Sequence, residues 1–295
     1  MPTGTSSRRD TTQAVNADER TVPSFLYIGT SKAGSTWLFN ALSLHPDIFL
    51  ASSKGLYYFD AHFDKGEDWY LRHFIGADGA VAAGEISHGY LSSPESPSRI
   101  AALNPAMRLL ACLREPADRA FSDYLDLVKN KQFDGSFEAA LERFPRLIER
   151  GRYATHLRRY LDVFPATQLL VGLFDDLRAD PQGYANAVYE FLGVSPMSLP
   201  PAALRARMPA GVARSPAAAS AAKRASRALA RLGLRRLRSQ VKRSRWVRGV
   251  LYRPFDADRP TAPPAVDAAL RSRFREEVAA LDDLLGLPVR QRWGY

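Results

Sequence analysis

Two short stretches carry residues whose types and spacing can do chemistry. The first is GTSKAGST, Gly29 to Thr36, which follows the apolar run Phe25 to Ile28 and leads into an apolar helical pattern. A turn of this kind between a strand and a helix offers backbone N–H groups and the positive end of a helix dipole to an anion. Glycine at its brackets lets the backbone come close to the anion's oxygens. Gly29 and Gly34 have the separation of an ATP-binding loop, and Ser35-Thr36 follow. That loop, however, carries its lysine directly after the second glycine. Here the lysine is Lys32, two residues before Gly34. Its displacement argues for an anion other than a magnesium-bound triphosphate. Alone, the stretch also reads as a small-residue turn with a solvated lysine.

The second stretch is LREPADRAFSDY, residues 113 to 124. Arg114 ends a strand pattern, MRLLACL, in which six of seven residues are apolar, and Ser122 follows eight residues later on the next helix. In an open α/β sheet the carboxyl end of a strand opens on the ligand crevice. A guanidinium there makes a forked contact to a phosphate, and a nearby hydroxyl completes the site. By itself the pair reads equally well as a solvated arginine and a surface serine.

The surrounding pattern supplies elements to hold these residues. Phe25–Ile28 reads as a buried strand and Ser35 to Leu44 as a helix. GEDWYLRHF reads as a short helix, and VAAGEISHGYL as a strand ending near Glu85. Pro116 suits the first turn of a helix with Ala120, Phe121, Tyr124, Leu125 and Val128 at helical spacing. FEAALERF and YATHLRRYLDVF read as helices, QLLVGLF as a strand, and GYANAVYEFLG as a helix ending at Gly193. Strands and helices alternate to about residue 195. This predicts an α/β fold: a P-loop-like parallel sheet flanked by helices on both faces, with a helical C-terminal region. Residues 202 to 253 read as broken helices. PAVDAALRSRFREEVAALDDLLG reads as an amphipathic helix with Leu270, Phe274, Val278, Leu281 and Leu285 on one stripe. The expected organisation is a disordered leader, 1–22, and one domain, 23–295. Residues 23–195 would be the nucleotide-binding core, and 196–295 a basic helical cap with the last helix.

Composition narrows the class. The 295 residues are 46% hydrophobic, enough for a full core. The lone cysteine, Cys112, rules out an intrachain disulfide and fits a reducing cytoplasm, the expected location. Met1 to Arg20 has no apolar signal core, and no apolar run approaches the ~18 residues of a membrane span. The net charge of +10 is local. Pro200 to Phe255 holds 15 Lys/Arg and no Asp or Glu, and the other 26 basic and 31 acidic residues leave the rest at −5. The first reading of this segment is solvated helices capping an acceptor site. The second is contact with an anionic or lipid-linked acceptor or a membrane periphery, and nucleic acid ranks last.

Together the two motifs resemble those of the PAPS-dependent sulfotransferases, whose donor is 3′-phosphoadenosine 5′-phosphosulfate, closest to the heparan-sulfate and bacterial branch. TSKAGSTWL is similar to their 5′-phosphosulfate loop, and LREPADRAFSDY to their 3′-phosphate motif. The resemblance continues through SLHPDIFLASSKGLYYFD, GEISHGYLSSP and RYLDVFPATQLLVGLFDDLRADP, and returns in the last helix and Trp293. It implies in-line sulfuryl transfer from PAPS to a hydroxyl or amine, leaving 3′,5′-ADP, with no metal. It assigns donor contacts to Lys32, Ala33, Gly34, Ser35, Thr36 and Trp37, then Arg114 and Ser122, then Tyr153 and Arg214, with Lys32 also meeting the transition-state charge. Lys54 is a further donor or acceptor contact, and Tyr57, Tyr58 and Phe59 are candidate walls of the acceptor pocket.

This sequence departs from that family at the general base. The glutamate that follows the lysine of K-E-x-x-F-F is Gly55 here, and the lysine of E-K-[ST]-P is Ile86. His88 and Glu85 are the substitute candidates, then His62. Asp175-Asp176 after QLLVGLF read as structural. Two other classes remain at this point: a P-loop nucleotide kinase or NTPase, and a non-catalytic nucleotide- or polyanion-binding protein.

Overall fold

The computed structural model describes residues 21–204, 211–213, 252–254 and 260–295. Five strands make one parallel sheet in the order β2-β3-β1-β4-β5. They are β1 Phe25–Gly29, β2 Ile48–Leu50, β3 Ala82–Ile86, β4 Arg108–Leu113 and β5 Leu169–Leu173. β1 is central, pairing Phe25 with Gly84 of β3 and with Arg108 of β4. All five of its residues are buried, which is why it reads as a continuous apolar run and not an alternating one. From β1 the chain first builds β2 and β3 on one side, then crosses to β4 on the other. The carboxyl ends of β1 and β4 therefore border a topological switch point, where open α/β sheets bind ligands.

Helices cover both faces: α1 Ser35–Leu42, α2 Glu67–Leu71, α3 Ser96–Leu103, α4 Pro116–Lys129, α5 Phe137–Arg143, α6 Arg146–Glu149 and α7 Tyr153–Leu161. After β5 come α8 Phe174–Ala179, α9 Pro181–Leu192 and α10 Pro201–Leu204, then α11 Pro264–Leu285 and α12 Val289–Trp293. Successive strand residues feed two cores. Leu26, Ile28, Leu109 and Leu113 pack with Phe121 of α4, Leu157 of α7 and Phe274 of α11. Phe25, Tyr27, Leu110 and Cys112 pack with Leu38 of α1 and Val188 and Leu192 of α9. Each large apolar side chain fully buried this way contributes about 1.5–3 kcal/mol. α4 starts where the sequence indicates. Pro116 opens its first turn, and the Glu115 carboxylate accepts from the N–H groups of Ala117 and Asp118 at 3.0 and 2.5 Å.

Several expectations change. α1 ends at Leu42, and Leu44 is exposed. Val128 is exposed too; its neighbour Leu127 packs instead, with Ala140 and Leu147. The strand β2 and helices α3 and α8 carry no strong periodicity of their own and were not expected. In the tail, the described part of residues 202–253 includes an antiparallel pair, β6 Gly211–Ala213 and β7 Tyr252–Pro254, where broken helices were expected. The rest of that basic stretch, Arg214 and the expected leader up to Arg20 lie outside the described residues. α11 matches its expected stripe: Leu270, Phe274, Val278 and Leu281 are buried against the α4 and α7 side of the sheet. Among the described residues no helix is long and apolar enough to cross a membrane.

Candidate active site

The turn after β1 is held from both sides. Thr30 donates its N–H to the Cys112 carbonyl at 3.0 Å, and the Tyr27 hydroxyl donates to the Thr30 carbonyl at 2.9 Å. The backbone is left-handed at Lys32 (φ 67°) and Gly34 (φ 84°). The positive φ favours glycine at 34, and a Cβ there would stand 2.3 Å from Leu177 Cδ2 of α8 and have to push that methyl aside. Gly34 is the N-cap of α1, and among the described residues no side chain caps that helix. The N–H groups of its first turn are therefore free for an external acceptor.

Lys54, from the turn after β2, reaches this helix start. Its ammonium donates to Ser35 Oγ at 2.9 Å and Thr36 Oγ1 at 2.7 Å. Burial, and then the charge of Lys32, lower it from 10.5 to about 8. A group whose charged form is this disfavoured gains from an anion placed beside it.

Arg114 ties the two motifs together. Directly after β4, and buried, its Nη1 donates to the Lys32 carbonyl at 3.0 Å. Its Nε and Nη2 both reach Asp118 Oδ2, at 2.8 and 2.5 Å. The Lys32 ammonium lies 3.3 Å from Asp126 Oδ1. Asp118, Ser122 and Asp126 are spaced four apart on α4, so one helix face meets both cations with the Ser122 hydroxyl between their partners. The sequence contains this i, i+4 series. What it lacks is any sign that the turn after β1 lies opposite.

The comparisons with known proteins bear on this geometry. Residues 23–200 match the family model described as "Sulfotransferase domain". The chain belongs to the sulfotransferase domain family. Its sulfotransferase relatives include human heparan sulfate glucosamine 3-O-sulfotransferase 3A1, 31% identical over 195 residues, covering 62% of this chain and 48% of that protein. Human bifunctional heparan sulfate N-deacetylase/N-sulfotransferase 3 is 32% identical over 197 residues, covering 59% of this chain and 23% of that one. The chain thus spans about half the length, or less, of these curated relatives. A solved sulfotransferase from Alicyclobacillus acidocaldarius superposes with a TM-score of 0.68 at 25% identity, covering 92% of this chain and 99% of that one.

Against the family resemblance, several residues of this sulfotransferase domain stand elsewhere than expected. The Trp37 ring is buried in the α1–α9 core, and its N–H donates to the Ala203 carbonyl of α10, so only its backbone remains near the turn. The Ala33 methyl is buried in the same core, and its backbone, the expected phosphate contact, stays in the turn. Tyr153 is 1% exposed and donates its hydroxyl to the Arg114 carbonyl at 2.7 Å; it supports Arg114 from below and does not line the crevice. Glu85 is enclosed in β3. It accepts from Ser87 Oγ at 2.6 Å, Tyr90 Oη at 2.5 Å and the Leu56 N–H at 3.4 Å, and burial pushes its carboxyl up to about 7. With both oxygens engaged inside the protein, Glu85 organises the neighbouring turns and does not face an acceptor. Ile86 is packed into the apolar core behind α1. Tyr58 and Phe59 are core residues, whereas Tyr57 is half-buried. His62 sits edge-on to Trp69. Asp175 accepts from Trp293 Nε1 at 2.9 Å and Asp176 pairs with Arg292, which confirms their structural reading.

His88 follows β3 and shares a 2.7 Å hydrogen bond with Tyr57 Oη through Nε2. Burial, with the charges of Lys54 and Arg150, lowers its imidazole to about 4. It is therefore neutral across the physiological range, and a weaker base than an ordinary imidazole.

Proposed function

We propose that this chain transfers the sulfuryl group of PAPS to a hydroxyl or amine of an acceptor. The observation that carries the reading is the Arg114–Lys32 link, which joins the start of α1 to a buried guanidinium held by Asp118, four residues before Ser122 on α4. These residues fit a nucleotide with two separate phosphate groups. The first-turn amides of α1, with Ser35, Thr36 and Lys54, suit the 5′ side; Arg114 and Ser122 suit the 3′-phosphate. When bound, PAPS supplies an activated sulfuryl group, whose transfer builds negative charge on the bridging and sulfuryl oxygens. Lys32 and Lys54 stand where preorganised positive charge would stabilise it. His88, neutral and acted on by the Lys54 charge, supports a base on this side of the site, the destination of the proton the acceptor loses.

The names of the curated relatives favour a glucosamine-containing acceptor of the heparan type. The lone, buried Cys112 supports a cytoplasmic site of action. α11, packed on α4 and α7, supports reading residues 196–295 as part of the same domain, a cap whose basic stretch would favour an anionic acceptor.

The test has two arms. Thermal unfolding should shift upward with 3′,5′-ADP and much less with ATP·Mg²⁺. ³⁵S-labelled PAPS should then label one of a heparan-type oligosaccharide, phenol or water, the last read as sulfate release. Stabilisation by ATP·Mg²⁺ alone would mean a kinase or NTPase, and binding of 3′,5′-ADP without any transfer would mean a binding protein.

A further inference from the structure

We propose that Tyr57 and His88 form a proton-relay pair in place of the carboxylate absent at position 55: the Tyr57 phenol meets the acceptor, and His88 Nε2 receives the phenolic proton. The inference rests on the sulfuryl-transfer reading and goes beyond it by naming the group that touches the acceptor.

The geometry begins at Gly55. Its φ is +78°, and a Cβ there would lie 2.7 Å from Tyr57 Cε2 and 3.3 Å from Tyr57 Oη. The Tyr57 ring therefore occupies the volume that a side chain at 55 would need. Tyr57 is itself left-handed, with φ +51°, a conformation uncommon for a bulky residue, and this turns its ring back over Gly55. Two anchors hold the turn in this form. The Tyr57 N–H donates to Ser87 Oγ at 3.1 Å, and the Gly55 N–H donates to the Ile86 carbonyl at 2.9 Å. Three residues before Tyr57, Lys54 is fastened to Ser35 and Thr36 at the donor turn. The phenol and imidazole thus lie beyond the carboxyl end of β3, the side of the sheet on which open α/β folds take their ligands.

Charges face the pair from several elements. Lys54, Arg150 of the turn after α6 and Asp123 of α4 act on His88; Asp60, Arg150 and Glu85 act on Tyr57. Burial pushes the phenol up to about 12, so Tyr57 stays protonated and has a proton to pass on. His88 Nε2 is the nitrogen that meets Tyr57; Nδ1 is buried with no hydrogen-bond partner among the described residues, so the tautomer the relay needs carries its proton there at a cost. In the step itself the acceptor oxygen forms its bond to sulfur as the bond from sulfur to the phosphate oxygen breaks, and that oxygen keeps the electron pair. The acceptor proton passes to Tyr57 Oη, the phenol's own proton passes to His88 Nε2, and the imidazolium later returns its proton to water.

The relay requires Tyr57 to donate to Nε2, so the neutral ring must carry its proton on Nδ1. ¹⁵N-histidine NMR reads this directly, with the His88 signals identified by their loss in His88→Gln. The expected result is the Nδ1-protonated tautomer, with the Nε2 shift displaced in Tyr57→Phe; the opposite tautomer overturns the proposal. Turnover of labelled PAPS with the best acceptor of the three should fall about 100-fold in either single variant. The double variant should fall no more than about threefold further, because both changes break one path. The 3′,5′-ADP thermal shift should persist in all three, which shows that they fold. Wild-type turnover in Tyr57→Phe, or single effects that multiply in the double variant, sinks the relay alone. A wild-type chain that binds 3′,5′-ADP but labels nothing ends the transfer reading, and the relay with it.

Discussion

Raising the pH through 8 should loosen the hold on 3′,5′-ADP, because Lys54 then loses its proton. The ammonium lies 2.9 Å from Ser35 Oγ and 2.7 Å from Thr36 Oγ1, at the start of α1. Burial and Lys32 set its value at about 8 in the unliganded chain. A phosphate at that helix start favours the charged form and should return it toward the ordinary value of about 10.4. Above pH 8 the free site has lost its proton and the occupied site keeps it, so binding takes up a proton and affinity falls with pH. From pH 7.5 to 9.5 the dissociation constant should rise ~20-fold, about 1.8 kcal/mol. Unliganded stability moves the other way. The unfolded chain binds more protons than the folded one between about 8 and 10.5, so Lys54 destabilises less as pH rises across that window. Isothermal titration with 3′,5′-ADP in two buffers of different ionisation enthalpy measures both affinity and proton uptake, which should be near half a proton at pH 8. Lys54→Gln should flatten the profile. A wild-type affinity constant from pH 7.5 to 9.5, or an unchanged slope in Lys54→Gln, would refute a phosphate beside Lys54.

Further outcomes follow from other contacts. Arg114→Ala removes a buried charge-assisted fork and the tie to Lys32, and should weaken 3′,5′-ADP binding by about 1.5–3 kcal/mol; wild-type affinity by titration would place the phosphate elsewhere. Gly34→Ala meets a positive φ and a 2.3 Å clash with Leu177, and should lower the unfolding midpoint while abolishing donor binding. An alanine variant of full stability would show that α8 gives way. Glu85, raised to about 7 by burial, favours folding at low pH and loses that contribution as pH rises from about 4.5 through 7. Glu85→Gln should therefore reduce the loss of urea stability between pH 5 and 8 by roughly 2–3 kcal/mol. If its activity falls while its stability profile is unchanged, the residue faces the acceptor after all. Asp126→Asn frees Lys32 from a part-exposed pair and should tighten 3′,5′-ADP less than about fivefold, since such pairs are worth about 0–1 kcal/mol.

The parallel sheet and its flanking helices were legible because burial on both faces writes continuous apolar runs such as Phe25–Ile28 and Leu109–Leu113, and because Pro116 and Gly193 punctuate the helices. The two anion-binding stretches were legible for the same local reason: a glycine-bracketed turn and an arginine at a strand end act through backbone geometry within a few residues. What the sequence could not show is which long-range partners each side chain meets. Trp37 and Tyr153 have the residue types expected of a nucleotide site, yet their polar atoms are used on Ala203 and on the Arg114 carbonyl. Lys54 was expected to touch donor or acceptor only by resemblance, and the fold is what carries it to Ser35 and Thr36. Position 55 shows the division most clearly. That a glycine stands there, and that a glutamate is missing, is a matter of sequence alone. That the Tyr57 ring fills the space and meets His88, 31 residues away, was decided by the tertiary structure. The contact depends on two loops closing over neighbouring strand ends and on the burial that tunes both groups, and neither is encoded by any local pattern of residues.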